Sequence, residues 1–346
     1  MGLVKNKHNL EYSGVVYAHF VSKKVKMKKI CLLSITLLLA FTIINCKGKS
    51  HHVRFATGGV LGTYYTYGNE IVRILSKETK INGTVQSTGA SKANIQLVSS
   101  GVVEFAIAQN DVMDYAWRGV DLFSGQQTKT FYAVAALYTE ACQIVANPAS
   151  GIKTVADLKG KNVSVGNHAS GTEFNSRQIL EAYGINFDQI NKEYMDFDES
   201  SSAMLENRID AFFCVAGAPT PAISDLSKKM EIVILEIEDE QISYLMEKYP
   251  FYSRHTIPAG SYDWQHNAIH TAAVKATLIV NSSVDEDLVY RLTKALFENK
   301  AKIEAAHIKG GELDPTFAVE SISVPFHPGA QKYYIETGIL KRFSMI

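Results

Sequence analysis

ATGGVLGTYYTYGNE, residues 56–70, places three glycines between a short apolar stretch, 53–57, and an amphipathic one. This pattern predicts a strand, a tight turn and a helix. A glycine-rich turn of that kind leaves backbone N–H groups free and presents the positive end of a helix dipole, a setting that suits an anion. Nothing marks the anion as a nucleotide. A P-loop needs G-x-x-x-x-G-K-[ST], yet Gly58, Gly59 and Gly62 are followed by Thr63, Tyr64 and Tyr65, and no lysine comes until Lys77. The dinucleotide spacing G-x-G-x-x-G fails too, because the spacing is G-G-x-x-G. Taken alone, the loop fits a plain tight turn as well as it fits a carboxylate site.

Outward from this loop the same unit recurs. Apolar runs at 84–88, 104–108, 162–166, 209–215 and 231–237 each lead into a helical pattern, near 93–99, 112–117, 174–183, 222–229 and 241–248. Two further runs, 133–138 and 143–147, follow one another, and 274–281 precedes a helix over 285–298. Strands alternating with helices predict an α/β fold with largely parallel sheets. Interlobe crossings are expected at 147–163 and at 269–275. They define a first lobe of residues 53–147 plus 271–346 and a second lobe of 148–270. Ligands of open α/β sheets sit beyond the carboxyl ends of the strands, so two facing lobes would enclose a cleft.

The chain balances 35 basic against 35 acidic residues over 346 positions. Residues 1–45 hold seven lysines and one acid, Glu11, so the rest carries 28 basic and 34 acidic residues, net −6. The part expected to fold therefore offers no basic surplus for nucleic acid, and any anion site must be built locally. The N-terminal lysines precede ICLLSITLLLAFTII, 30–44, an uncharged run of 15 residues. That is short of the roughly 20 that span a bilayer, and it reads as the h-region of a secretory signal. Ile43-Ile44-Asn45-Cys46 resembles a bacterial lipobox, with Asn45 departing from the small residue usual before the cysteine. Residues 1–46 are thus expected to be a signal ending in a lipidated Cys46, and 47–52 a tether. Met27 is an alternative start. Of the four cysteines only Cys142 and Cys214 remain, both in apolar runs and expected as isolated buried thiols. No C-x-x-C occurs, and no cofactor or metal set is indicated.

Four strand-to-helix junctions share a chemistry: TGGVLGTYY (57–65), STGASKAN (87–94), NHASGTEFN (167–175) and AGAPTP (216–221). Glycine allows close backbone approach, and Ser or Thr caps a helix or donates a further hydrogen bond. Two junctions fall in each expected lobe. Together they predict a ring of uncharged donors around one anionic or zwitterionic solute, each contributing about 0.5–1.5 kcal/mol.

At these residues the chain closely resembles the solute receptors of TAXI-type TRAP transporters. The resemblance is carried by these junctions together with QSTGASKANIQLVSSG (86–101), SGIKTVADLKGKNVSVG (150–166), IPAGSY (257–262), VYRLTKALFEN (289–299) and VPFHPGA (324–330). It implies a type II periplasmic-binding-protein fold, two lobes with a hinged cleft. It also implies an extracytoplasmic receptor that takes a small organic acid such as glutamate or 2-oxoglutarate and delivers it to TRAP membrane permease subunits. An ABC-type importer and a surface lipoprotein without a transport role are the alternatives. Carried over by position, the ligand contacts are Gly62, Thr63 and Tyr64; Thr88, Gly89, Ala90, Ser91 and Asn94; Gln109; Ser170, Gly171 and Thr172; and Gly217 and Pro219. Ala90 stands where the family usually has glycine. No arginine lies inside the four strand-to-helix junctions; Arg177 is the nearest, and His168 is expected as an exposed-loop histidine.

Catalysis is not expected. His168 and Ser170 are two apart at a helix start and lack an orienting carboxylate, and G-x-S-x-G is absent. Asp196 and Asp198 in DFDES open a helix expected over 199–207. His266 and His270 have H-x-x-x-H spacing, but Asn267 replaces the glutamate of a zinc protease.

Overall fold

The computed structural model describes residues 52–341. The expected signal, Cys46 and the tether up to residue 51 lie outside the described residues. Ten strands form one sheet: β1 His52–Ala56, β2 Asn82–Gln86, β3 Phe105–Gln109, β4 Phe131–Ala146, β5 Asn162–Ser164, β6 Asn191–Glu193, β7 Ala211–Ala216, β8 Val233–Leu235, β9 Ser253–Ile257 and β10 Ile269–Asn281. Between and after them run the helices α1 Thr63–Thr79, α2 Ser91–Ser99, α3 Asn110–Arg118, α4 Gly171–Ala182, α5 Phe197–Leu205, α6 Pro221–Ser227, α7 Asp239–Lys248 and α8 Glu286–Glu298, with three shorter α-helices and a 3-10 segment toward residue 336.

The strand order is β2-β1-β3-β10-β4-β7-β5-β6, with β8 on β4 and β9 on β10. At one end β1 runs parallel to β2 and β3. At the other, β5 runs parallel to β6 and β7. The long strands β4 and β10 lie antiparallel to each other and join the two parallel blocks. The mixed α/β fold is therefore present, with its parallel strands split by an antiparallel pair. The β strands are short where helices cover them and long only in this central pair. Gly68 brings α1 close to β1, since a Cβ there would lie 2.8 Å from Thr57 Cγ2.

The apolar cores change over along β4 and β10. Val134, Leu137 and Tyr138 pack with Leu278 and Val280 in a core shared with Tyr67, Ile71 and Phe105. Cys142 and Ile144 pack with Ala272 and Val274 beside Ile179 and Phe213. Ala141 and Val145 face a further core with Phe212 and Cys214. The switch falls at Thr139 and Glu140, paired in register with Lys275 and Val274. This differs from a first crossing over 147–163. The two apolar runs at 133–138 and 143–147 are one continuous strand, and the polar residues between them sit inside it rather than in a loop. Residues 148–158 form short 3-10 turns that lead into β5. Cys142 and Cys214 are free, buried and directed into different cores.

Candidate functional site

The six parallel strands point their carboxyl ends at one cavity of about 50 Å³. Its walls come from Gly58, Gly59, Gly62, Thr63 and Tyr64 after β1, and from Ala90 and Ser91 after β2. Gln109 ends β3; Asn167, Ser170, Gly171 and Thr172 follow β5; Asp196 and Phe197 follow β6; Val215 and Ala216 close β7. Glu140, at the changeover in β4, completes the lining.

Four helices start at this cavity, and they are not equivalent. Gly62 and Ala90, the caps of α1 and α2, give no side-chain capping bond, and neither helix has an acid in its first turn. Their leading N–H groups and dipoles are left for a ligand. By contrast, Ser170 Oγ accepts from Glu173 N at 3.2 Å in α4, and Asp196 forms a capping box with Glu199 in α5. The favoured place for an anion is therefore the α1 and α2 side of the cavity.

Of the residues expected to touch ligand, Gly62, Thr63, Tyr64, Ala90, Ser91, Gln109, Ser170, Gly171 and Thr172 line the cavity. Thr88, Gly89, Asn94, Gly217 and Pro219 do not. The Thr88 hydroxyl donates to Thr57 O at 2.7 Å, and Asn94 Nδ2 donates to Thr57 O and to Ile107 O at 2.5 and 2.7 Å. These two side chains tie the loops after β1 and β2 to each other and to β3. Gly217 O accepts from Thr63 Oγ1 at 2.9 Å and from Thr220 Oγ1 at 3.1 Å. Its neighbour Pro219 sits in a cis peptide with Ala218. His168 is 80% exposed and lies 3.8 Å from Glu173. Arg177 binds Glu173 Oε1 at 3.0 Å and stacks over Phe187, so neither lines the cavity. Asp196 caps a helix that begins at Phe197, two residues earlier than expected.

The reading from sequence missed Glu140, which is 1% exposed. Its Oε2 accepts the Tyr64 hydroxyl at 2.8 Å. Burial pushes its carboxyl well above the usual carboxylate range, against the opposing effect of the Tyr64 hydrogen bond. Burial likewise raises the Tyr64 phenol. Gln109 is 2% exposed, its N–H donates to Ser91 Oγ at 3.1 Å, and its Oε1 has no hydrogen-bond partner among the described residues. No Lys, Arg or His lines the cavity among the described residues. Nor is there, among them, a group of three or more His, Cys, Asp and Glu placed to hold a metal ion. No helix among them is long and apolar enough to cross a membrane.

Further polar bonds join the two sides of the molecule beyond the cavity. Asn175 Nδ2 donates to Asp111 Oδ2 at 3.0 Å and to the Tyr252 hydroxyl at 2.8 Å. Gln178 Nε2 donates to the Tyr115 hydroxyl at 3.0 Å. Asp111 is fully buried, and burial raises its carboxyl to about 6.

Among solved structures, the chain is similar to the alkanesulfonate-binding protein SsuA of Xanthomonas axonopodis pv. citri bound to MOPS. The identity is 12%, 82% of each chain is covered and the TM-score is 0.46. It is also similar to the periplasmic aliphatic sulphonate binding protein of Escherichia coli (13% identity, 82% of this chain and 78% of that one, TM-score 0.45). An ancestral arginine-binding protein bound to arginine matches at 15% identity over 75% of this chain and 97% of its own, with a TM-score of 0.49. Sequence is more decisive. The family described as NMT1-like matches residues 55–338, and the chain belongs to the NMT1-like family.

Proposed function

We propose that this protein is an extracytoplasmic solute receptor that captures a small organic acid between two hinged lobes and hands it to a membrane permease. One observation supports this most: six strand ends and two uncapped helix starts converge on one cavity that, among the described residues, no cationic side chain lines. Backbone and hydroxyl dipoles can hold a carboxylate there without a salt bridge. The hinge of this reading is the paired segment Thr139–Lys275 and Glu140–Val274, where the cores change over. The lobes expected as residues 53–147 plus 271–346 and 148–270 then divide inside β4 and β10, so that 140–147 and 271–274 pass to the second lobe. A cavity of about 50 Å³ has room for only a few water-sized groups, so the lobes part to admit ligand and close over it.

The resemblance to TAXI receptors favours a TRAP permease as partner, Cys46 as a lipid anchor at the membrane surface, and a binding role rather than catalysis. An ATP-driven importer is the rival partner. The receptor reading is tested by thermal unfolding of the protein with a panel of C4–C6 carboxylic acids and the common amino acids. At least one is expected to raise the midpoint by several degrees; a panel that leaves it unmoved contradicts the reading. Uptake into vesicles carrying the permease then separates the partners, with a sodium gradient expected to drive it and ATP dependence pointing to the rival.

A further inference from the structure

The junction AGAPTP, 216–221, follows β7 at the cavity, yet neither Gly217 nor Pro219 lines it. Gly217 makes a different contact. It stands on the β7 side of the molecule and is buried against three residues of the other side, Thr63, Tyr138 and Lys309. A Cβ built on Gly217 would lie 2.9 Å from Lys309 Cε, 3.0 Å from Thr63 Cγ2 and 3.1 Å from Tyr138 Cε2, so the position admits a hydrogen but not a methyl group. Two hydrogen bonds cross at the same place. Thr63 Oγ1 donates to Gly217 O at 2.9 Å, and Ala222 N, at the start of α6, donates to Leu61 O at 3.3 Å.

Both partners of this contact are held from behind. On the β7 side Thr220 N donates to the Tyr262 hydroxyl at 2.9 Å, Tyr262 donates to Gln143 Oε1, and Gln143 Nε2 donates to Thr220 Oγ1 at 2.9 Å. Tyr262, the last residue of IPAGSY, thereby stiffens the loop that carries Gly217. On the other side one carboxylate fixes two of the three walls. Glu312 Oε2 accepts from Thr139 N at 2.6 Å, next to Tyr138, and Oε1 accepts from Lys309 Nζ at 2.6 Å. The Thr139 N–H is available because the sheet narrows there to β4 and β10. β3 pairs with β10 only from Ala276 onward, β9 only up to Ala273, and β7 meets β4 only from Ala141. Lys309 has a flexible stem, but it is 6% exposed and its head is bonded to Glu312, so it cannot swing aside.

Resting on the receptor reading above, we infer that Gly217 is a latch that seats in the socket of Thr63, Tyr138 and Lys309 only when the lobes are closed. Glu312, which does not line the cavity, is the positioning residue that shapes this socket. Closure then has a strength of its own, set at the narrow part of the sheet and added to whatever the ligand supplies. Filling or loosening the socket lowers the fraction of protein that closes, and the affinity for every ligand falls with that fraction.

Calorimetric titration and hydrogen exchange read by mass spectrometry test this on the protein, with L-glutamate and the other acids and amino acids of the panel as probes. Gly217→Ala overfills the socket and is expected to weaken every binder by one common factor of about 5–150. In the ligand-bound protein it should speed exchange in 59–66 and 216–224, while the cores around Ile71 and Ile179 exchange as in wild type. Glu312→Gln keeps an oxygen for Thr139 N and releases Lys309, and a loss of about 2–30-fold is expected. The freed Lys309 can yield to the new methyl, so the double variant should lose less than the product of the two single losses. Wild-type affinity in Gly217→Ala, losses that differ from ligand to ligand, or single effects that simply multiply overturn the inference and leave the receptor reading in place. If no probe binds the wild type, the receptor reading itself fails. Where Gly217→Ala does not fold, Glu312→Gln decides alone, and wild-type affinity and exchange in that variant overturn the inference.

Discussion

Gly171→Ala puts the closed cleft to a sharp test. Gly171 opens α4 and lies directly against the Gln109 side chain, both lining the cavity. A Cβ built there would sit 1.6 Å from Gln109 Oε1 and 2.4 Å from its Cδ, where real Cβ atoms essentially never come within 3.0 Å of a neighbour. The Gln109 amide must therefore retreat by about 1.4 Å or more. Its backbone N–H is held by Ser91 Oγ and the residue is buried, so the amide moves into the cavity or the two sides stay apart. Overpacking of this kind costs about 1–3 kcal/mol. That cost falls on the closed state, so it appears as a loss of ligand affinity of about 5–150-fold, with little change in unfolding when ligand is absent. The assay is calorimetric titration with L-glutamate, or with the tightest ligand of the panel, on Gly171→Ala, Gln109→Ala and the double variant. The double variant removes the clash and is expected to bind no more weakly than Gln109→Ala alone. Wild-type affinity in Gly171→Ala would refute the reasoning, because it would mean that these two residues do not approach in the state that holds ligand.

Other consequences concern single positions. Ala90 has φ 66 and ψ −146, a region that glycine enters freely and that costs other residues about 1–3 kcal/mol. Ala90→Gly is expected to stabilise the protein by about 1 kcal/mol, after the added flexibility of the unfolded chain; an unchanged or lower midpoint in urea unfolding contradicts this. Thr172 lines the cavity and its hydroxyl makes no hydrogen bond among the described residues, whereas Ser91 Oγ accepts from Gln109 N. Thr172→Ala should weaken ligand with little effect on stability, Ser91→Ala should lower both by leaving that buried N–H unpaired, and the pair together should weaken ligand at least tenfold. Equal stability losses in the two single variants would contradict this assignment. Asp111 is raised from 3.8 to about 6 by burial. The folded state thus holds a proton that the unfolded chain has lost, and stability falls as pH rises from about 4 to about 6, by about 3 kcal/mol. Asp111→Asn keeps one acceptor oxygen, for Val112 N, and loses the one that takes Asn175 Nδ2, a fixed cost that does not vary with pH, so its stability relative to wild type should rise by that amount across the same interval; parallel pH profiles would contradict the assignment.

The alternation of apolar runs and helical patterns made the α/β layering legible, because each helix buries one face on a strand that precedes it. Gly62, Thr63, Ser91 and Thr172 were legible for a related reason, since short polar residues and glycine at a strand-to-helix turn leave backbone donors exposed to whatever lies beyond the strand. Glu140 was not legible as part of the site. It lies between two apolar runs, where a loop and a mid-strand polar residue look alike, and only the pairing with β10 shows that it is buried. The available signal was a carboxylate inside a 16-residue stretch that is otherwise mostly apolar, which seldom occurs without a partner or a task. Thr88 and Asn94 show the opposite error. Their types suit a ligand, but the carbonyls of Thr57 and Ile107 needed donors first. Asp196 and Phe197 enter the cavity because β6 brings their junction beside Gly59 and Gly62, and β6 is only three residues long.

The central claim is that uncharged groups at the starts of α1 and α2 grip a carboxylate between the two sides of the molecule. A crystal structure of the protein grown with the tightest ligand of the panel tests it most directly. The account predicts one ligand molecule inside the cavity, its carboxylate within hydrogen-bond distance of the leading N–H groups of α1 and α2 and no Lys or Arg side chain in contact with it. A ligand held by a cationic side chain, or bound on a surface away from Gly62, Ser91 and Thr172, would contradict it.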